Sequence, residues 1–139
     1  VSTTGIIAAL PSAAPAAIDD RLIDVPTLYP DDSKTGANFV TSDGEVCVRA
    51  QLMTTGRSMN SSYNIYVEER TSTGSWFTKR QFGRSQANGG FDSRCFDAGI
   101  LKAKTYRVRV KNLGSGLFEN NSIAGRVWYD PIQDGDPIA

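Results

Sequence analysis

The residue types in this chain limit its chemistry before any fold is considered. It contains no histidine, which excludes a Ser-His-Asp triad, a Cys-His dyad, an imidazole general base and any histidine-containing metal site. Glu68 and Glu69 are the adjacent carboxylates of the central part of the chain. Neighbouring residues on a strand point to opposite faces, so this pair cannot act on one substrate atom. We interpret it as a solvated strand end and predict no catalytic residue and no enzyme activity.

Metal and cofactor sites lack a supporting pattern. The two cysteines alone cannot build a zinc or iron–sulfur site. The acidic segment 130–136 clusters oxygen ligands, but its spacing does not fit a twelve-residue calcium loop, and no bidentate glutamate follows. The sequence therefore predicts neither a metal nor a cofactor.

Cys47 and Cys95 are the whole cysteine content, and one disulfide is the simplest use of an even count in a small, strand-rich chain. The alternative is a pair of free thiols in a cytosolic domain. A disulfide predicts an exported protein, and closing a loop of about 48 residues would stabilise the fold by about 3–4 kcal/mol. On the local alternation, Cys47 shares a face with Arg49 and Gln51, which favours a bond on an outer face or at a sheet edge.

Exposed aromatic side chains are a means of binding sugars. Adjacent strand residues face opposite ways, so one member of each pair Trp76/Phe77 and Trp128/Tyr129 is predicted to point outward. Possible glycan-binding residues are therefore Tyr66, Trp76 and Trp128. Packing in the core or at a hydrogen-bonded rim is the alternative.

A basic face is also possible, formed by Arg107, Arg109, Lys111 and Arg126. Such a face is typical of an ordinary solvent-facing strand, and its functional version would recognise an acidic protein surface. Nucleic acid is not a predicted partner, because the formal net charge is zero and no nucleic-acid-binding motif is present.

The elements that must position these residues are predicted to be strands. The period-two alternation is clearest over 46–52, 63–68 and 104–111. Shorter candidates cover 37–41, 75–82, 91–96 and 122–130. Polar connections that carry glycine separate them, and no central segment keeps a helical period. We therefore predict an all-β fold, an antiparallel β-sandwich of about seven strands.

The 139 residues, 40% of them hydrophobic, suffice for one domain. Composition divides them into an Ala/Pro-rich and acidic arm (1–36), a basic sandwich domain (37–130) and an acidic tail (131–139). Segment 5–17 is similar to the end of a secretory signal, but it lacks a basic leader, so we interpret it as mature protein. No run reaches the roughly 18 apolar residues of a membrane-spanning helix, and membrane insertion is not predicted.

The amino-terminal arm combines apolar side chains with prolines at positions 11, 15, 26 and 30. Those prolines forbid a long helix and favour extended backbone, which cannot form a core alone. The arm can wrap on its own domain, or it can dock on a partner by adding a strand or filling a cleft. The residues predicted to bind a partner are Ile6, Ile7, Leu10, Ile18, Leu22 and Ile23.

The Cys47/Cys95 pair in a sandwich, preceded by the extended arm of residues 1–30, resembles the small adaptor proteins of secreted bacterial umbrella-shaped toxin particles. The resemblance implies that the chain links a toxin polypeptide to a lectin-like protein through its amino-terminal extension. We therefore predict a secreted, non-enzymatic adaptor whose arm docks into another secreted protein. A carbohydrate-binding sandwich that uses exposed aromatic residues is the alternative.

Overall fold

The computed structural model of the chain describes residues 21–41, 43–55, 61–114 and 122–130. Within these ranges the chain forms eight β-strands and no helix, and hence no helix that could cross a membrane. The strands are β1 (Arg21–Leu28), β2 (Ser33–Thr35), β3 (Val46–Thr54), β4 (Tyr63–Arg70), β5 (Trp76–Arg84), β6 (Asn88–Phe96), β7 (Tyr106–Asn112) and β8 (Ile123–Asp130).

The strands form two four-stranded sheets in which every paired neighbour is antiparallel. The first sheet has the order β1-β8-β3-β6 and the second has the order β2-β7-β4-β5. The inner faces of both sheets contribute to one apolar core. The predicted all-β sandwich is confirmed, with eight strands in place of about seven.

Alternation along the central strands explains this architecture. On β7, Tyr106, Val108 and Val110 are buried, whereas Arg107 and Arg109 are partly exposed on the other face. The same period of two runs along β4 up to Val67. Each sheet therefore buries one apolar face, and the opposite face is left to carry polar and aromatic side chains.

Part of the predicted arm belongs to the sandwich, which corrects the boundary at residue 36. Ile23, Val25 and Leu28 are buried in the core, and β1 pairs with β8 along its length. Pro26 is tolerated because β1 is an edge strand with an irregular register between Val25 and Leu28. Residues 1–20 and the tail 131–139 lie outside the described residues.

The predicted strand over 37–41 is wrong. Phe39 makes only an isolated bridge to Tyr106, and its ring packs near those of Tyr106 and Tyr129, with centroids 6.2 Å and 5.3 Å away. This segment connects β2 to β3 and contributes one aromatic side chain to the core. The apolar pair Phe39 and Val40 therefore did not indicate a strand. Phe39 is apolar because it packs in the core, whereas Val40 is exposed.

Three tyrosines are among the largest buried side chains of the core: Tyr63, Tyr106 and Tyr129. Burial raises the pKa of each phenol above its ordinary value, because the charged phenolate would lose its hydration. The hydroxyl of Tyr106 donates to Glu69, and that of Tyr129 donates to the carbonyl of Ala37. Tyr63 has no hydrogen-bond partner for its hydroxyl among the described residues.

Candidate functional site: the two outer sheet faces

The adjacent carboxylates Glu68 and Glu69 point to opposite faces of the second sheet, as predicted, but both are buried. Glu69 faces inward, where it accepts a hydrogen bond of 2.9 Å from the Tyr106 hydroxyl and lies 3.8 Å from the Lys79 ammonium. Glu68 faces outward. The expectation of a solvated strand end is therefore wrong, because each carboxylate is enclosed by its own cross-strand partners.

Glu68 is the centre of a row of stacked side chains on the outer face of the second sheet. Its two carboxylate oxygens accept hydrogen bonds of 2.7 Å from Arg107 Nε and 3.0 Å from Arg109 Nε. Each guanidinium also lies 4.3 Å from the centre of an aromatic ring, Arg107 over Trp76 and Arg109 over Tyr66. We call these five residues the Glu68 ladder. Every charge in it has an opposite charge or an aromatic face beside it.

The ladder changes the interpretation of the basic face. Arg107 and Arg109 share the buried Glu68, and Lys111 lies 3.4 Å from Asp31. Arg126 belongs to β8 of the first sheet, so the structure does not bring it together with the other three. The predicted basic face of four residues is therefore corrected to a largely neutralised row on one sheet and a separate arginine on the other.

The outer face of the first sheet carries exposed apolar side chains. Leu22 on β1 lies opposite Trp128 on β8, which in turn lies opposite Arg49 on β3. Phe91 on β6 completes this group, since the Arg49 guanidinium lies 3.8 Å from its ring centre and its ring lies 6.3 Å from that of Trp128. We call these four residues the aromatic strip. Leu22 and Phe91 keep 53% and 51% of their surface exposed.

A groove of about 410 Å³ adjoins the aromatic strip on the same face. It is lined by Gln51, Leu52, Met53, Asn88, Gly89, Ala124, Gly125 and Arg126. Its size falls within the range of small-ligand sites, which combine apolar walls with a few polar groups.

Small residues create this groove between longer side chains. Ala124 and Gly89 leave space beside Met53 and Arg126. Gly125 has a φ of 147°, and a Cβ there would collide with the carbonyl oxygen of Gln51. Only glycine allows the backbone of β8 to approach β3 so closely at this point. The groove is thus fixed by main-chain geometry as well as by side-chain size.

Polar groups of the groove stand at defined positions. Gln51 Nε2 donates a hydrogen bond of 3.2 Å to the Gly89 carbonyl, and Asn88 Oδ1 accepts one of 3.0 Å from the Gly90 amide. Arg126 lies across from both Asp24 and Gln51 in the pairing of β8 with its neighbours. These side chains place amide and guanidinium groups next to the aromatic strip.

The disulfide lies on this outer face. Cys47 and Cys95 are directly opposite each other on β3 and β6 and are bonded. The predicted pairing is confirmed, and so is its place at a sheet edge, since β6 is the edge strand. Glu45 has a carboxylate oxygen within 4.8 Å of both sulfurs, but sulfurs bonded to each other offer no thiolates to a metal ion. The bond attaches the strand of Phe91 to the centre of the sheet.

The three aromatic residues predicted to bind glycans are divided between the faces. Tyr66 and Trp76 belong to the Glu68 ladder, whereas Trp128 belongs to the aromatic strip. Sequence reasoning missed Phe91, although its alternation with Ser93 and Cys95 is the same signal that identified the outward side of β3. It also missed the groove, which depends on long-range pairing.

The described residues of the arm likewise divide. Leu22 is exposed in the aromatic strip, but Ile23 is a core residue with 3% of its surface exposed. Ile23 is therefore unavailable to a partner, because its side chain fills the space between the sheets. The predicted partner-binding residues Ile6, Ile7, Leu10 and Ile18 lie outside the described residues.

Comparison with known proteins assigns no family to this chain. No protein-family model and no curated protein matches the chain. One similar solved structure is a family GH115 4-O-methyl-α-glucuronidase with specificity for decorated arabinogalactans, at 12% identity and a TM-score of 0.48. The match covers 93% of this chain but only 19% of that enzyme. A likeness of that size carries no argument about function, and the resemblance to toxin-particle adaptors stays a prediction.

Proposed function

We propose that this chain is an exported, non-enzymatic carbohydrate-binding module that holds a glycan on the first sheet. The observation that carries the proposal is the aromatic strip beside the groove: Trp128 and Phe91 share one outer face with the amide and guanidinium groups of Gln51, Asn88 and Arg126. Sugar rings present apolar C–H faces that stack on aromatic rings, and hydroxyl groups that exchange hydrogen bonds with planar polar side chains.

Exposure supports the first sheet over the second. Leu22, Met53 and Phe91 each expose at least half of their surface on one face. Contiguous exposed apolar surface on a soluble protein commonly marks a binding site. On the second sheet, Glu68 accepts the Nε–H groups of Arg107 and Arg109, and Trp76 and Tyr66 are only partly exposed. The Glu68 ladder therefore offers a ligand less exposed apolar surface than the aromatic strip, where Leu22 and Phe91 are exposed.

The disulfide supports an extracellular place for this function. A bond between β3 and the edge strand β6 persists in oxidising compartments and is rare in the cytosol. Glycans of cell surfaces and extracellular polysaccharides are the ligands available there. The proposal needs no metal and no catalytic group.

The experiment that tests this function is a glycan-array screen followed by calorimetric titration of the best ligand. Trp128→Ala should weaken binding about 10–100-fold, the loss typical of a central aromatic contact. Trp76→Ala is the matched control, because it removes the same side chain from the opposite face, and it should change the affinity less than about twofold. Equal losses in both variants, or no glycan bound by the wild type, would contradict the proposal.

A second candidate is the adaptor function, in which the amino-terminal arm docks into a secreted partner. The observation that favours it is the exposed Leu22 on edge strand β1, which continues directly from residues 1–20. Deleting residues 1–18 separates the candidates. The deletion should leave glycan binding intact under the first proposal and abolish partner capture under the second.

A further inference from the structure

The two outer faces repeat one arrangement of cross-strand pairs. On the second sheet, Arg107 lies opposite Glu68, and the next outward pair on the same strands is Arg109 with Tyr66. On the first sheet, Arg126 lies opposite Gln51, and the next outward pair is Trp128 with Arg49. Each face therefore has an arginine beside an arginine–aromatic pair, although both arginines lie on β7 in the second sheet and on β8 and β3 in the first. The difference is that a carboxylate faces the arginine on one sheet and a neutral amide faces it on the other.

The carboxylate of Glu68 shows how outward-facing guanidinium groups of this protein hold a carboxylate. It is buried, and both of its oxygens accept charge-assisted hydrogen bonds of 2.7 Å and 3.0 Å from guanidinium groups. Guanidinium groups match carboxylates in shape as well as charge. On the first sheet Gln51 offers an amide in the equivalent position, so the β3 partner of Arg126 supplies no carboxylate, and the acidic neighbour of Arg126 is Asp24 on β1.

Charge in the groove favours an anion. Among the described lining residues, Arg126 is the only charged side chain. Asp24 is the acidic neighbour, but its carboxylate lies 4.0 Å from Arg126 Nε, and the two side chains are 69% and 62% exposed. An ion pair of that length and exposure contributes little, because water and salt screen it. A ligand carboxylate can therefore compete with Asp24 for the guanidinium.

From this juxtaposition we propose that the groove recognises an acidic sugar, a uronate whose ring stacks on the aromatic strip and whose carboxylate binds Arg126. Arg126 and Trp128 are two residues apart on one face of β8, so their Cα atoms are separated by about 7 Å along the strand. A uronate carries its carboxylate directly on the sugar ring and can reach both groups. The inference rests on the proposed glycan binding and specifies its ligand class.

The test compares an oligouronate with the same oligosaccharide after its carboxylates have been reduced to hydroxymethyl groups. The wild type should bind the acidic form about tenfold more tightly at low salt, the scale of a charge-assisted hydrogen bond. Arg126→Gln should remove this preference. Gln51→Glu should remove it too, because an internal carboxylate would then face Arg126 as Glu68 faces Arg107.

Matched controls are Arg70→Gln and Gln81→Glu, which make the same changes of charge at exposed positions of the second sheet. Both should keep the wild-type preference. The inference is overturned if the wild type binds both oligosaccharides equally, if Arg126→Gln keeps the preference, or if a sulfated oligosaccharide without carboxylates binds more tightly than the uronate. Binding of the neutral form that depends on Trp128, without any acidic preference, would reject this inference alone. No binding of either form would reject the proposed function as well.

Discussion

On the second sheet, Arg107 faces Glu68, whereas on the first sheet Arg126 faces Gln51. The buried Glu68 pairs with Arg107 and Arg109 of β7 and leaves each of them stacked on an aromatic ring. The first sheet has an amide in that position, together with exposed apolar side chains and a groove. The two faces thus differ in the residue opposite the arginine. Glu68 pairs with the arginines of the second sheet, whereas Gln51 carries no charge and leaves Arg126 able to bind an anionic ligand.

The faces also differ in what holds them together. The Glu68 ladder links β4, β5 and β7 by hydrogen bonds and stacking. The aromatic strip depends on β6, an edge strand whose neighbour in the sheet is β3, and the disulfide ties these two strands covalently. One face is therefore stabilised by electrostatics and the other by a cross-link. Removing each support in turn tests this difference.

Removing the disulfide should have the largest effect on stability. The bond joins residues 48 positions apart, and a loop of that length contributes about 3–4 kcal/mol in the loop-entropy model. Cys47→Ala with Cys95→Ala should lower the free energy of unfolding by that amount, measured by urea denaturation. It should also weaken glycan binding, because the strand that carries Phe91 loses its attachment.

Reduction of the wild type provides the control for this double variant, since it breaks the same bond without changing any side chain beyond the thiols. Both should lose a similar amount of stability. A loss below about 1 kcal/mol in the two experiments would mean that pairing of β6 with β3 is sufficient without the cross-link.

Replacing the carboxylate at the centre of the ladder should have the next largest effect. Glu68→Gln leaves Arg107 and Arg109 without their shared counter-charge, and a loss of about 2–3 kcal/mol is expected from hydrogen bonds to charged groups. Urea denaturation measures the loss. Glycan affinity should stay within about twofold of the wild type, because the ladder lies on the opposite sheet.

The exposed Asp32→Asn supplies the matched control, as it also converts a carboxylate into an amide, and it should change stability by less than about 0.5 kcal/mol. A double variant with Arg107→Gln should recover part of the loss caused by Glu68→Gln. If Glu68→Gln were as stable as the wild type, the ion pairs of the Glu68 ladder would contribute nothing to the free energy of unfolding. A clear loss of glycan affinity in this variant would make the second sheet the binding face.

Local alternation in the sequence was sufficient to predict most strands and the side on which each residue lies. It placed Tyr106 inward, Arg107 outward and Cys47 on the outer side of β3, because one buried face imposes a period of two. It failed for β1, where Pro26 and neighbouring aspartates favoured an arm. Edge position is what permits that proline, and a sequence read alone does not reveal which strands are edges.

The candidate site could not be predicted from local sequence patterns, because it depends on which strands become neighbours in the sheet. Trp128 and Phe91 are distant in sequence and meet only because β8 and β6 flank β3 on the same sheet. Trp76 has an equally outward pattern but lies on the other sheet. The buried state of Glu68 has the same origin, since its two arginines come from β7. Long-range register therefore decided which aromatic residues form a site.

The smallest effect near neutral pH is expected in the core that the two faces share, at the hydroxyl of Tyr63. This hydroxyl is buried, and the neighbouring Arg84 guanidinium does not reach hydrogen-bond geometry with it, so Tyr63→Phe should change stability by less than about 1 kcal/mol at neutral pH. Tyr129→Phe is the comparison, because it removes a hydrogen bond of 3.1 Å to the Ala37 carbonyl and should cost about 1 kcal/mol.

At alkaline pH, the Tyr63→Phe substitution should stabilise the protein relative to the wild type. Burial raises the pKa of this phenol above its ordinary value, and the Asp92 carboxylate raises it further, whereas Arg84 and Arg94 oppose the rise. The phenol of the unfolded chain therefore loses its proton at a lower pH than the phenol of the folded protein. The contribution of Tyr63 to the free energy of unfolding is fully present below about pH 10 and is lost as the pH rises toward the folded-state pKa. Tyr63→Phe has no such proton, so it should become more stable than the wild type above about pH 10. Urea denaturation at neutral and alkaline pH measures the change, and an unchanged difference between the two proteins would mean that Tyr63 titrates alike in the folded and unfolded states.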